Sequence, residues 1–235
     1  MDTPRTARPA PLFLTALVAF VSALAALSFS SGMAHAHGNH DHAAMGMTAR
    51  HTPAPTNKAF ALRQDMRKLW EDHITWTRLA IISLEGGTPD TSATVARLLR
   101  NQADIGNAVK PFYGKAAGNK LTQLLRAHIL IAADVVAAAK AGDGAKLTAA
   151  QAQWVRNANQ IAAFLHSANP RFWPLGTMKA EMQMHLRLTT EEAVAHLQGR
   201  WSADVAAYDK VHLHILHMSD LLAEGLIKQF PRRFH

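Results

Sequence analysis

The chain has 235 residues, no cysteine and 14 histidines. That length holds one domain, or two small ones, and 49% apolar with 18% charged residues excludes a wholly disordered chain. The missing cysteines exclude disulfide scaffolds, thiolate metal sites, a cysteine nucleophile and lipid attachment through an N-terminal cysteine, while a formal charge of +8 hints at an anionic partner.

Residues 1–36 have the order of a secretory signal. Arg5 and Arg8 precede an apolar run from Leu12 to Leu27, and small residues follow from Ser28 to Ala36. Two small-x-small sites offer cleavage, Gly32-Met33-Ala34 and Ala34-His35-Ala36. The competing reading of this run is an uncleaved membrane anchor. No later segment is apolar enough to span, so the expected product is exported, periplasmic or extracellular, without a stable membrane span after cleavage. Losing the signal removes two arginines and one aspartate, so the basic character stays. It is scattered, however, and nucleic-acid binding wants a dense basic stripe with interleaved aromatics.

Residues 37–57 form a Pro-containing tether with His37, His40, His42, His51, Met45 and Met47. In a cysteine-free chain, imidazole and thioether are the ligands left for copper, and imidazole alone suits nickel or zinc. Cleavage after Ala34 would expose His35-Ala36-His37, whose free amine, amides and third-position imidazole chelate Cu(II) or Ni(II) in a square plane.

From residue 58 to 235 the apolar period is helical, and no strand-like alternation competes. The first helix, from about Lys58 to Leu84, carries Leu62, Met66, Leu69, His73, Trp76, Ala80 and Leu84 in register. A second starts near Thr91 and is closed by Pro111 and Gly114; a third runs from Asn119 to Lys140 through His128. A fourth starts at Thr148 and stops at Asn169-Pro170. A shorter helix holds Met178, Met182 and His185, and the capping box Thr189-Thr190-Glu191-Glu192 predicts a restart there. Ser202 is expected to cap the last long helix, which reaches Phe230. Gly106 and Gly225 are the glycines that fall inside helices. The fold expected is an all-α antiparallel bundle of four long helices plus short ones.

Polar residues on apolar stripes are the informative positions. His73, His128, His185 and His212 each fall on the stripe of a different helix. Asp204, Tyr208 and His212 are spaced i, i+4, i+8, and Asp209 precedes His212 by three residues, which sets carboxylate beside imidazole. A dinuclear carboxylate centre would need Glu-x-x-His on two helices, and Glu71 and His73 lie about 200° apart. A mononuclear or copper-type site using histidine, with Met182, Met184 or Met218 nearby, stays open, although methionines at helical spacing are more often core filler than copper ligands. Buried histidines also serve as structural hydrogen-bond partners, and Asp72, Asn101, Asp104, Asn107, Asn157, Asp204 and Asp209 offer the counterparts.

Several segments resemble a family of exported bacterial all-helical proteins of uncharacterised activity. They are Leu69-Trp70-Glu71-Asp72-His73 with Trp76-Thr77-Arg78, Arg100 through Asn107 to Lys110-Pro111, Met184-His185-Leu186 with Leu188-Thr189-Thr190, and Tyr208-Asp209. The likeness covers most of residues 60–231 and leaves out the tether. Some members carry labels such as glycosyltransferase or acetylglutamate kinase. Both activities ordinarily use nucleotide-binding sheets, and this chain has no such pattern. The resemblance supplies no catalytic residues. Its polar positions His73, Asn101, Asp104, His185 and Asp209 coincide with those that periodicity puts in or beside the core.

The reading is therefore an exported bundle that binds a transition metal (copper, nickel or zinc) for buffering, sensing or delivery. His73, His128, His185, His212 and Asp209 are the bundle ligands or their supports, and His37, His40 and His42 the capture tether. The alternatives are a small-ligand or protein-interaction bundle with a structural polar network, and an enzyme gathering Arg100, Asp104, Tyr208 and Asp209 in a cleft. Catalytic motifs are absent: there is no phosphate loop, nucleophile elbow or His-Glu-x-x-His.

Overall fold

A computed structural model describes residues 57–235. The expected signal, and the tether histidines His37, His40, His42 and His51, lie outside the described residues. Five helices run in order: α1 (Asn57–Gly86), α2 (Thr91–Ala141), α3 (Gly144–Ala168), α4 (Leu175–Leu197) and α5 (Trp201–Gln229), followed by a short 3-10 turn at Pro231–Arg233. There is no strand among the described residues, and the class is all-α. Helix α1 packs on α2 and α5, α2 on α3, α3 on α4 and α4 on α5, which closes a bundle around one core.

Helix α2 is two rods in one. Gly114 has φ 83° and ψ 169°, a backbone region essentially confined to glycine. The chain reverses there, and the arms before and after it lie side by side. Arg126 Nη1 donates to Leu99 O at 3.1 Å across the two arms. A Cβ built on Gly118 would stand 2.5 Å from Gly106 O, so the arms touch backbone to backbone. The second arm begins directly after Gly114, so Gly118 lies inside it, and Pro111 sits within the first arm rather than ending it.

Other local expectations are also corrected by tertiary contacts. Helix α3 begins four residues before Thr148, because Asp143 caps it by accepting from Lys146 N at 3.0 Å. Helix α4 runs unbroken through the expected capping box. The Thr189 and Thr190 hydroxyls donate back to His185 O (2.9 Å) and Leu186 O (2.7 Å), and Glu192 is committed to Arg78 on α1. Ser202 lies inside α5, whose cap position is Arg200 without a side-chain bond.

Gly225 explains how the α3–α4 connector is held. Trp173, 1% exposed, lies so close that a Cβ on Gly225 would meet its Nε1 at 2.0 Å. The Trp173 indole donates to Leu221 O (3.4 Å), and Asn169 Nδ2 donates to Gly225 O (3.0 Å). No helix among the described residues is long and apolar enough to cross a membrane.

Candidate metal centre

The apolar stripes bring His73 (α1), His128 (second arm of α2) and His185 (α4) together in the core, each at most 4% exposed. The His185 ring lies 5.9 Å from His73 and 6.0 Å from His128, centroid to centroid. All three line one cavity of about 40 Å³, together with Met66, Met182 and Met218. The rest of its wall is aliphatic or indole, and no carboxylate contributes.

Hydrogen bonding fixes the tautomer of the His128 ring. Asn157 Nδ2 donates to Leu124 O (3.1 Å), which turns Asn157 Oδ1 toward His128 Nδ1 at 2.7 Å. His128 therefore carries its proton on Nδ1, and its buried Nε2 holds a lone pair with no protein partner. His73 faces a pair of amides instead. Asn101 Nδ2 donates to Leu69 O (3.0 Å), so Asn101 Oδ1 faces Gln102 Nε2 (3.1 Å). Gln102 Nε2 in turn donates to Leu98 O at 2.9 Å and stands 3.2 Å from His73 Nδ1. His73 on α1 thus sits against the Asn101–Gln102 amides of α2. His185 is the second ring with an unpartnered nitrogen, Nδ1. Each buried nitrogen without a partner costs roughly 1–3 kcal/mol.

Burial makes these rings neutral. It pushes His73 down to about 3, with the His128 charge adding to the effect, and His128 down to about 4. His185 falls well below its usual value through burial and then the charges of His73, His128 and His214. Neutral imidazole is the form that binds metal.

Two residues singled out in the sequence lie elsewhere. His212 is half-buried on the flank of α5, its Nε2 2.7 Å from Glu71 Oε1 and its ring stacked on Tyr208 at 5.7 Å. Asp209 is exposed. The α5 histidine that joins the row is His214, 6.4 Å from His185. Sequence spacing puts His212 on the stripe instead; the buried run Ala207, Val211, Ile215, Met218, Leu222 is the signal that could have placed His214 beside the core. Among the described residues, no three histidine, aspartate or glutamate side chains gather at metal-holding spacing.

A separate polar network crosses the bundle toward the C-terminal end of α1. Arg78 Nη1 donates to Glu192 Oε1 (2.7 Å) and Asp204 Oδ1 (2.8 Å), and His196 Nδ1 donates to Asp204 Oδ2 (2.9 Å). Arg78 also covers the Tyr208 ring at 4.8 Å. Burial raises Glu192 to about 7. Burial, then the nearby charges of Asp204 and Glu192, raises Glu85 to about 8. Arg100 is exposed and Asp104 half-buried on α2, while Tyr208 is taken up beneath Arg78. Compared with known protein families, curated proteins and solved structures, the chain matches none.

Proposed function

We propose that the protein binds a transition metal ion without turnover, in an export compartment, and that its interior site takes copper as Cu(I). The observation that carries this is the pair of neutral rings with unpartnered nitrogens, His128 Nε2 and His185 Nδ1, in one cavity with three thioethers. Thioethers are soft ligands that favour Cu(I), and imidazole, a borderline ligand, also suits copper, in a chain lacking thiolates. Charge points the same way. With no carboxylate in the wall, a divalent ion would be buried with its charge uncompensated, and a monovalent ion carries the smaller desolvation cost.

Spacing is compatible with a shared ion. Two imidazoles bound at roughly 2.0–2.1 Å place their ring centroids roughly 5–6.5 Å apart, depending on the angle at the metal. The His128–His185 separation of 6.0 Å falls in that range. The Asn157 bond to His128 Nδ1 is the kind of outer contact that orients a ligating ring. His37, His40 and His42 are assigned to capture, ahead of the bundle.

The test is an anaerobic titration of the full chain against a chromophoric Cu(I) chelator, with Zn(II) and Ni(II) in parallel. One Cu(I) is expected to resist the chelator, and the His128→Gln and Met182→Leu variants are expected to release it. Changing His37, His40 and His42 to alanine is expected to leave that ion in place. Failure of the wild type to hold Cu(I), or retention by His128→Gln and His185→Gln alike, overturns the proposal.

A further inference from the structure

The histidine row does not stop at the cavity. His214 lies 6.4 Å from His185 on the outer side. Its Nε2 donates to Glu181 O at 3.1 Å, which leaves the lone pair on Nδ1. That nitrogen is 3.7 Å from Glu181 Oε2. The other oxygen of the same carboxylate, Oε1, is 3.7 Å from His217 Nε2. Burial falls away in the same order: the side chains of His214, Glu181 and His217 are 11%, 19% and 65% exposed.

We infer that His217, Glu181 and His214 form the access route by which a metal ion passes from solvent to the His185–His128 cavity. The inference rests on the Cu(I) reading of that cavity. Glu181 acts as a two-handed bridge, one oxygen toward the exposed ring and one toward the buried ring. It supplies the anionic charge that the cavity lacks, so the ion is attracted at the surface and released inward to neutral ligands. Two ligand atoms 3.7 Å apart can share an ion at bond lengths of roughly 2.0–2.1 Å. Each move is a ligand exchange. The next lone pair bonds the ion as the previous donor leaves, and the oxidation state does not change.

Nearby charges are already committed. Arg67 pairs with Asp220 at 2.5 Å, Arg63 with Glu224 at 2.7 Å and Arg187 with Glu191; Asp220 also acts on His217 and Arg187 on His214, and Glu181 is the carboxylate that contacts both rings. His212, on the same helix but bound to Glu71, stands outside the route and supplies the internal control.

The experiment is stopped-flow loading of the full chain from a coloured Cu(I)–chelator complex, with equilibrium affinity measured separately by competition. His217→Ala, Glu181→Gln and His214→Gln are expected to slow loading at least tenfold. Their equilibrium affinities are expected to stay within threefold of wild type, and His212→Gln to load at the wild-type rate. Loading at wild-type rates in all three variants overturns the route while the interior site stands. Loss of affinity in proportion to rate also overturns it, since the residues would then be ligands of the final site. A wild type that takes up no Cu(I) at equilibrium removes the interior site and the route together.

Discussion

Replacing His128 by glutamine tests whether the core histidines are folded in their neutral form. In the native protein burial holds this ring at about 4, against an ordinary value of 6.5. In the unfolded chain it takes a proton as the pH drops below 6.5, while in the fold it does not. The folded value is depressed, so its contribution is complete above the unfolded value and is lost as the pH falls toward about 4. Between those two values each pH unit of acidification favours the protonated unfolded chain by about 1.36 kcal/mol, so from about pH 7.5 to about pH 5 the loss is about 2 kcal/mol. Glu192 and Glu85 act in the opposite sense, because their folded values are raised, and they flatten the wild-type profile. The measurement is therefore a difference. Urea unfolding of wild type and His128→Gln is followed at matched pH values, with m checked for constancy. Glutamine keeps an amide to offer Asn157 Oδ1 and carries no titrating group. The wild-type advantage is expected to shrink by about 2 kcal/mol on acidification, with a limiting slope of one proton. Parallel profiles for the two proteins would refute the reasoning, because the ring would then protonate equally in both states.

Glu192→Gln is expected to gain stability relative to wild type as the pH rises. The Glu192 contribution is present below its ordinary 4.5 and lost as the pH passes its folded value of about 7, so the difference opens over that window and levels off above it, as read by thermal melts in a pH series. Gly225→Ala is expected to lose roughly 1–3 kcal/mol or more in urea unfolding, because a methyl there meets the Trp173 indole at 2.0–2.8 Å and must displace it. A Gly225→Ala protein as stable as wild type would show that the α3–α4 connector is not held as described.

Helix existence was legible because the period of apolar residues is set by the core that each helix must face. Gly and Pro between the periodic segments marked most of the ends. The two glycines that broke this rule both have packing reasons. Gly106 lets the arms of α2 touch, and Gly225 receives Trp173. Neither reason is local, so neither could be read in advance. The capping box at Thr189 failed for the same cause. Its glutamate, Glu192, is fully buried and bound to Arg78, which lies 114 residues away. Once a side chain is engaged from another helix it cannot reach back to cap its own.

The misplaced histidine on α5 has a geometric origin that applies to any long helix. Steps of four residues advance about 400°, so a ladder spaced i, i+4, i+8 drifts about 40° per step around the axis. Asp204 is 2% exposed because Arg78 pairs with it, and the ladder starts in the core. Two steps later it has turned about 80° and reaches the flank, where the His212 side chain is 28% exposed and binds Glu71. A path that alternates steps of three and four cancels the drift. Such a path runs from Val211 through His214 to Met218 and holds to the core side, which is why His214, and not His212, extends the row from His185 toward solvent.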